Sequence, residues 1–516
     1  MSAIDKGARP FNWEKSAIGA PAGALALLAH PLTTLVLLLI AAVEQAAGHI
    51  DSDVSWLITV GEKFLAGVAP YADIVEPNPP MSFLSLAPAI LIAQLLHMPV
   101  EPVLVALVFA GALIAFGLGS YALRLGAPRS GLEWRLMLNG AIWLALIAPA
   151  LLFAQREHLA LLAMAPLLAG LSVDRSDGRM PRIVCLLQGI GGGVAVAFKP
   201  FFGLAVLLPA LAVAWRERSP RVLLTLEFIA FSVASVVSVA AIWIFFPAYF
   251  TRIVPFNLDV YSAAPETLSN FLTPPLGFIY LALAIGLVTA GRGTPRGVAP
   301  LIAFWASVGF FLCFLAQRKG WINHAYPALA LILFSWLLFV VEEARMSPGG
   351  GVMRWPLVKF FFLPAFVATP LFFGVIEQFS DGEEFPGLRA AVAAHTPAHP
   401  RLMALSANCS VGHPLTRRLQ GRWVMRPCAL WASVLATQLW SGSETAPAYR
   451  ARLEAYRRQD MAGFAEDVDK GRPDAIIIET PGLRDWALRQ PVLAAAMAPF
   501  EKAAVAGGTE VWTRRK

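Results

Sequence analysis

Three carboxylates stand in the polar segment that follows the first apolar run of the chain, residues 22–43. They are Asp51, Asp53 and Glu76. Asp53 precedes VSWLITVGEKFLAG, where apolar residues recur at helical spacing. The pattern predicts a short amphipathic helix with Asp53 near its N-cap and Gly67 near its C-cap. A helix N-terminus stabilises a carboxylate in its charged form, as a general base requires, and the alternative interpretation is a plain capping residue.

A second set of ionisable residues interrupts the apolar part of the chain. Arg156, Glu157 and His158 stand together in AQREHLALLA, between two apolar runs. Ionisable groups at membrane depth are costly, so they usually mark a site. Cations suit a phosphate there, because Arg offers a planar fork and Lys a point charge. The candidate phosphate-binding residues are Arg156, His158, Lys199, Arg318, Lys319 and His324.

Each of these residues also has a simpler interpretation. A cation near the membrane surface can extend its charged end to ordinary lipid headgroups, without any specific ligand. Glu157 is predicted to orient Arg156 or His158. The number of cations, all on the side of the membrane that basic residues usually avoid, favours the phosphate site.

The apolar runs that must position these residues are long and numerous. Of the 516 residues, 57% are hydrophobic and only 15% are charged, and the mean hydropathy is +0.62. A soluble protein would carry about a quarter charged residues. The chain is therefore predicted to be an α-helical polytopic membrane protein with about eleven spans. The predicted spans are 22–43, 102–123, 136–153, 158–173, 183–198, 201–215, 222–246, 276–290, 298–316, 324–341 and 357–376.

Basic residues orient these spans. If 80–96 lies in the interface, every basic cluster falls on one side, and cytoplasmic loops favour Lys and Arg. If 80–96 spans, the loop from Arg124 to Arg135 falls outside and the one-sided pattern is lost. The first arrangement is therefore preferred, and it puts the amino terminus inside and the carboxyl terminus outside. The clusters are Lys6/Arg9/Lys15, Arg124/Arg129/Arg135, Arg175/Arg179/Arg182, Arg216/Arg218/Arg221, Arg292/Arg296 and Arg345/Arg354/Lys359.

The last part of the chain, residues 377–516, has no predicted span. It alternates strand-like and helix-like pieces, which predicts a small outer α/β domain. These pieces include LMALS (402–406), AIIIE (475–479) and the helix-like stretch 448–458. The predicted division is therefore a transmembrane domain, 1–376, whose first outer loop, 44–101, carries the acids, and the soluble domain that follows it.

Two cysteines, Cys409 and Cys428, fall in this outer segment. Disulfides persist in oxidising compartments, so the sequence leaves a bridge between them open. The formal net charge of +7 is spread over many short loops, which argues against nucleic acid as a partner.

The acidic segment, residues 48–83, resembles the first outer loop of GT-C glycosyltransferases. In particular it is similar to that of the protein mannosyltransferases and the lipid A aminoarabinose transferase. The shared pattern is an acid after the first span, a helix ending in LAG, then PY-x-D, and then E-x-NPP before an apolar segment. Many relatives have two adjacent acids, whereas Val54 follows Asp53 here, so Asp51 or Glu76 takes the second role. The matching residues are Asp53, Gly67, Pro70, Tyr71, Asp73, Glu76, Asn78, Pro79 and Pro80.

The resemblance implies a transferase that takes a sugar from a polyprenyl-phosphate or polyprenyl-diphosphate donor. The expected acceptor is a glycan, lipid or protein of the cell envelope, and the expected location is a bacterial inner membrane, with the active site facing the periplasm. Asp53 is then the base, with Asp51 and Glu76 as supporting acids, while the cations bind the carrier phosphate.

The sequence also bears on cofactors, on further partners and on alternative functions. Membrane lipids are expected partners; no metal site is predicted, and a divalent cation is left open as a cofactor. The alternatives to a transferase are a polytopic transporter, a lipid-linked glycan flippase, and a ligase that moves whole glycans. A transporter is disfavoured because transporters place polar groups near the bilayer midplane, often in two similar halves, whereas these acids lie in an outer loop and no repeat is visible.

Overall fold

The structure is a computed structural model that describes residues 27–126, 130–173, 180–263, 275–291, 297–346, 356–379, 385–440 and 446–515. Part of the first predicted span lies outside these residues. Several of the basic residues that orient the predicted spans lie outside them as well. These are Lys6, Arg9, Lys15, Arg129, Arg175, Arg179, Arg292, Arg296 and Arg354.

Helices dominate the described residues. Short 3₁₀ or π-helical turns interrupt or join several of them, such as Trp143–Ile147, Pro200–Gly203, Asn257–Tyr261 and Cys409–Val411. In chain order the α-helices are α1 (Pro31–Ala47), α2 (Ser52–Leu65), α3 (Met81–Leu84), α4 (Ala87–Leu96), α5 (Val100–Gly126), α6 (Gly131–Ile142), α7 (Arg156–Gly170), α8 (Arg182–Phe198), α9 (Leu204–Glu217), α10 (Leu226–Phe245), α11 (Val254–Phe256), α12 (Leu276–Ala290), α13 (Val298–Gln317), α14 (Ile322–Met346), α15 (Leu363–Phe372), α16 (Val375–Gln378), α17 (Leu388–His395), α18 (Leu415–Arg418), α19 (Trp431–Trp440), α20 (Pro447–Gly471), α21 (Pro481–Leu488) and α22 (Pro491–Met497).

The chain divides into two compact units. Unit 1 comprises residues 1–47, 105–239 and 267–376. Unit 2 comprises residues 48–104, 240–266 and 377–516. Unit 2 is thus larger than the carboxy-terminal segment alone, because it includes the acidic segment near the amino terminus.

In the part of the chain that the structure describes, six helical segments are long and apolar enough to cross a membrane by length and composition. A seventh is obtained if α1 and α2, which meet at a bend of 71°, count as one span. Several predicted spans are shorter helices in the structure, among them α8 and α12, so eleven spans remain a prediction. Residues 81–96 form a short apolar stretch as well. The six segments are Val100–Leu125, Pro200–Glu217, Leu226–Phe245, Val298–Gln317, Ile322–Ala344 and Val358–Gln378.

Unit 1 is built from packed apolar helices. In α10 large apolar side chains such as Val233 and Val236 are exposed, as expected for a surface that faces lipid. The GIGGG run of α8 lies against α10, where a Cβ on Gly189 would stand 2.3 Å from the carbonyl oxygen of Glu227. These glycines therefore serve close helix packing, as the sequence inside a predicted span indicates.

Unit 2 contains a five-stranded sheet. Its strands are β1 (Arg401–Leu405), β2 (Arg422–Trp423), β3 (Ala475–Ile478), β4 (Phe500–Ala506) and β5 (Thr509–Arg514). The spatial order is β2-β1-β3-β5-β4; β1 runs parallel to β2 and β3, and β5 runs antiparallel to β3 and β4. All four residues of β3 are buried, which explains its unbroken apolar sequence AIII.

Charged contacts join distant parts of the sequence within unit 2. Arg417 of α18 forms ion pairs with Glu62 of α2 at 2.9 Å and with Glu101 of α5 at 2.7 Å. Lys63 donates a hydrogen bond to the carbonyl oxygen of Met425 at 2.6 Å. These contacts hold α2, which carries Asp53, against the carboxy-terminal part of the chain.

Candidate functional site

The predicted catalytic acids all belong to unit 2. Asp51, rather than Asp53, is the N-cap of α2, because its Oδ1 accepts a hydrogen bond from the backbone N–H of Asp53 at 2.8 Å. Asp53 lies in the first helical turn, where the dipole still favours a negative charge. Gly67 follows the C-cap, Ala66, with a φ of +88°, which suits glycine. Asp51 is therefore the capping residue, and Asp53 is the predicted base.

Glu76 is a buried carboxylate with a partner for each oxygen. Its Oε2 accepts from Trp56 Nε1 at 2.6 Å, and its Oε1 accepts from the backbone N–H of Asn78 at 2.9 Å and from Asn78 Nδ2. The Tyr71 hydroxyl donates to the carbonyl oxygen of Asn78 at 2.8 Å. These bonds shape the turn that precedes α3, so the geometry favours a positioning role for Glu76 in this loop.

The side chains around Trp56 come from the carboxy-terminal part of unit 2. The His413 ring packs between Trp56 and Trp423, with ring centroids 5.4 Å and 4.8 Å apart. Burial, and then the positive charges of Lys63 and Arg417, lower the pKa of His413 from 6.5 to about 3. His413 is therefore neutral at physiological pH and serves packing.

The Cys409 thiol lies in electrostatic range of the acids. Burial, the neighbouring Cys428 thiol and the Asp53 and Asp51 carboxylates hold the pKa of Cys409 well above its usual value. Cys409 is therefore protonated at neutral pH. Negative charge at the amino end of α2 accounts for the contribution of the two acids.

A large polar cavity of about 1160 Å³ lies within unit 2 beside α2. Cations outnumber carboxylates along its wall, which gives it an excess of positive charge. The cations are Lys63, Arg401, Arg417, Arg418, Arg422, Arg426 and Lys470, and the carboxylates are Glu62, Asp73, Glu101 and Asp467.

The predicted phosphate-binding residues all belong to unit 1, and several of them converge on Glu157. Lys199 Nζ donates to Glu157 Oε1 at 2.6 Å and to Gln317 Oε1 at 2.7 Å, and it lies 3.2 Å from His324 Nε2. Glu157 is only 1% exposed. Since an ammonium has three N–H donors, these acceptors can occupy all of them. Direct contact of Lys199 with a phosphate would require one acceptor, such as the neutral Gln317, to move away.

Arg156 and Lys319 add further positive charge to this group. Both are buried, Arg156 interacts electrostatically with Glu157, and Lys319 with His324. Arg318 instead ends α13 with a φ of +53° and is exposed. The buried cation cluster, defined here as Arg156, Lys199 and Lys319 with Glu157 and His324, has three permanent cations and one carboxylate.

Two buried atoms of this cluster have unused hydrogen-bonding capacity. Within the described part of the chain, Glu157 Oε2 and His324 Nδ1 have no hydrogen-bond partner. Buried polar atoms are usually paired with protein or water. Both atoms are therefore able to form a hydrogen bond with a water molecule or with a polar group of a ligand.

His158 does not join the buried cation cluster. Its Nδ1 accepts from the backbone N–H of Ala154 at 3.0 Å, and its Nε2 lies 2.7 Å from the carbonyl oxygen of Ala145. A ring that accepts at one nitrogen and donates at the other is neutral. The structure therefore assigns His158 to holding the turn before α7 rather than to a phosphate.

The sequence pattern located most of these side chains but not their partners. Glu157 pairs with Lys199 of another chain segment, not with His158, and Gln317 and His413 were not expected. Gln317 is the first residue of QRKGWINH, so its position beside two predicted cations was the available signal. Among the described residues, no group of three or more His, Cys, Asp and Glu side chains could hold a metal ion.

Two solved structures resemble this chain over most of its length. ArnT from Cupriavidus metallidurans bound to undecaprenyl phosphate aligns with a TM-score of 0.54 and 16% sequence identity, over 93% of this chain and 97% of that one. ArnT from the same organism in the apo state gives 0.53 and 16%, over 96% and 98%. No protein-family model matches the chain, and no curated protein matches it. The predicted resemblance to GT-C proteins is thus confirmed at the level of the fold.

Proposed function

We propose that this multi-pass membrane protein is a GT-C glycosyltransferase that moves a sugar from a polyprenyl-phosphate donor to a cell-envelope acceptor. The observation that carries the proposal is the buried cation cluster, whose three cations exceed its one carboxylate. Lys and Arg side chains that lie together are the usual partners of a phosphate, Arg through its planar fork and Lys as a point charge. A phosphate on a lipid carrier has the required charge, and undecaprenyl phosphate is the lipid in the ArnT structure of the same fold.

The reaction assigns one role to the acids and one to the cations. Asp53 takes the proton of the acceptor hydroxyl, whose oxygen then attacks the anomeric carbon of the sugar. The bond between that carbon and the phosphate oxygen breaks, and the carrier phosphate leaves with increased negative charge. Arg156, Lys199 and Lys319 stabilise that charge. Asp51 caps α2, the helix that carries Asp53, and Glu76 holds the same helix through Trp56.

The division between Asp51 and Asp53 follows from their hydrogen bonds. Asp51 already serves as the cap of α2, and an amide can replace a carboxylate in that role. An amide cannot act as a base, so Asn cannot replace Asp53 in proton abstraction. We place this reaction at the outer face of a bacterial inner membrane, on the basis of the basic loops and the sequence resemblance.

The acid role is tested in a transfer assay with the purified protein in lipid. Donors are polyprenyl-phosphate-linked pentoses and hexoses, and bacterial envelope extracts supply the acceptor. Asp53→Asn should lower the transfer rate by about 10²–10⁴-fold while leaving the fold intact. Asp51→Asn is the matched control and should retain most activity. An active Asp53→Asn with an inactive Asp51→Asn would assign the base to Asp51, and no transfer by wild type with any donor would contradict the function.

The phosphate role is tested on the same preparations without relying on turnover. Undecaprenyl phosphate should raise the unfolding temperature of wild type, because a ligand stabilises the state that binds it. Arg156→Lys keeps the charge but loses the planar fork, so the shift should shrink, and Arg156→Ala should lose more of it. Arg216→Lys at an exposed helix end is the control. An undiminished shift in Arg156→Ala would remove Arg156 from the site.

A further inference from the structure

Two thiols of unit 2 lie side by side. Cys409 begins the Cys409–Val411 turn after β1, and Cys428 lies in the segment after β2. Both are free and half-buried, and the Cys428 thiol is among the groups that interact with the Cys409 thiol. The proximity of these residues is therefore already present before any covalent bond forms.

The backbone brings the two segments together independently of the side chains. The backbone N–H of Leu430 donates to the carbonyl oxygen of Ser406 at 2.7 Å. Trp423 Nε1 donates to the carbonyl oxygen of Pro427 at 2.9 Å, which closes the turn that carries Cys428. On the other side, Asn408 Oδ1 accepts from the backbone N–H of Ser410 at 3.1 Å and shapes the turn around Cys409.

Each of these two segments also contacts the acidic segment. The His413 ring, four residues after Cys409, packs on Trp56 of α2. The carbonyl oxygen of Arg426, two residues before Cys428, accepts from the backbone N–H of Val75 at 3.1 Å. A link between the thiols would therefore tie together the two supports of the segment that carries Asp51, Asp53 and Glu76.

We propose that Cys409 and Cys428 are a redox-modifiable pair that forms a reversible disulfide behind this acidic segment. The oxidant is an external disulfide, either a small one or that of a thiol–disulfide oxidoreductase. The Cys428 thiolate attacks the oxidant and releases its first thiol; Cys409 then loses its proton as its sulfur attacks the mixed disulfide and releases the other thiol. Two protons leave the cysteines, and two electrons reduce the oxidant. The proposal does not depend on transferase activity.

The bond is tested on the full-length protein in detergent. Wild type is incubated with glutathione disulfide or with dithiothreitol, its remaining thiols are alkylated after denaturation, and its peptides are analysed by mass spectrometry. Oxidised protein should yield a peptide pair linked through Cys409 and Cys428, which dithiothreitol abolishes. The buried Cys185 and Cys313 of unit 1 should remain as thiols and serve as internal references. Alkylation of both Cys409 and Cys428 after oxidation would overturn the proposal.

A second measurement tests whether the bond restrains the acidic segment. Oxidation should slow proteolysis within the acidic segment, residues 48–83, of wild type and raise its unfolding temperature. Cys428→Ser, a substitution of similar size, should show neither change under the same oxidant. Equal changes in wild type and Cys428→Ser would assign the effect to another site and contradict the proposal.

Discussion

His413 is a histidine whose environment permits only its neutral form. It lies between two indole rings, and both ring nitrogens are without a hydrogen-bond partner in the described residues. Its pKa falls from 6.5 to about 3, chiefly through burial. The folded protein therefore binds fewer protons at this residue than the unfolded chain between these two values.

This difference sets the direction of a pH effect on stability. Since the unfolded state binds the additional proton, this contribution is fully present above pH 6.5 and is lost as the pH falls towards 3, by up to about 1.4 kcal/mol per pH unit. His413→Phe removes the titrating group and keeps a ring between Trp56 and Trp423. Unfolding temperatures measured from pH 7 to pH 4 should therefore fall less steeply for His413→Phe than for wild type. Equal slopes would show that His413 does not contribute.

At the residue scale, the sequence showed which side chains could take part in chemistry, but not which side chains they contact. The charges of Arg156, Lys199 and Lys319 were visible in the sequence, but burial was needed to separate them from exposed Arg318. His158 resembled a cation in the sequence and is a neutral ring held by two backbone groups. Such distinctions depend on tertiary contacts, which neighbouring residues in the chain do not encode.

At the element scale, the contact between α8 and α10 depends on residues without side chains. A Cβ at Gly189 would meet the Glu227 carbonyl oxygen at 2.3 Å and the Phe231 nitrogen at 2.8 Å. Both are backbone atoms, so a rotamer change cannot relieve the clash and the helices must separate.

Gly189→Ala should therefore destabilise the protein by about 1–3 kcal/mol, as overpacking does. Gly111→Ala in α5 is the matched control, because its Cβ would meet nothing within 4 Å. The control gains helix propensity and should be neutral or slightly stabilising. The comparison requires thermal unfolding of both variants in one detergent. If Gly189→Ala were as stable as wild type, α8 and α10 would be able to separate without cost, and the prediction would be wrong.

The pattern of apolar residues predicted helices and strands well where one face of the element, or a whole strand, is buried. LMALS and AIIIE correspond to β1 and β3, and the stretch 448–458 lies within α20. Helix breaks were less predictable: the run 136–153 is divided among α6, a π-helical turn and the 3₁₀ turn Ala150–Leu152. Its composition is apolar apart from Asn139, so hydropathy does not register the change in backbone hydrogen bonding.

At the scale of the whole molecule, the orientation of the chain remains a prediction from charge. The basic clusters predict that the carboxyl terminus is outside. A reporter enzyme that is active only in the periplasm, fused after Lys516, should be active. The same reporter fused after Arg218, in a predicted inner loop, should be inactive. The reverse pattern would refute the predicted orientation.

The composition of unit 2 has a consequence for the synthesis of the protein. Residues 48–104 leave the ribosome well before their partners among residues 377–516 are made. Glu62 and Arg417, which form an ion pair, are 355 positions apart. At about 5–20 residues per second, the acidic segment waits tens of seconds for its partners. During that interval the newly made chain must keep this segment soluble and accessible, because it cannot complete its fold until residues 377–516 have been made.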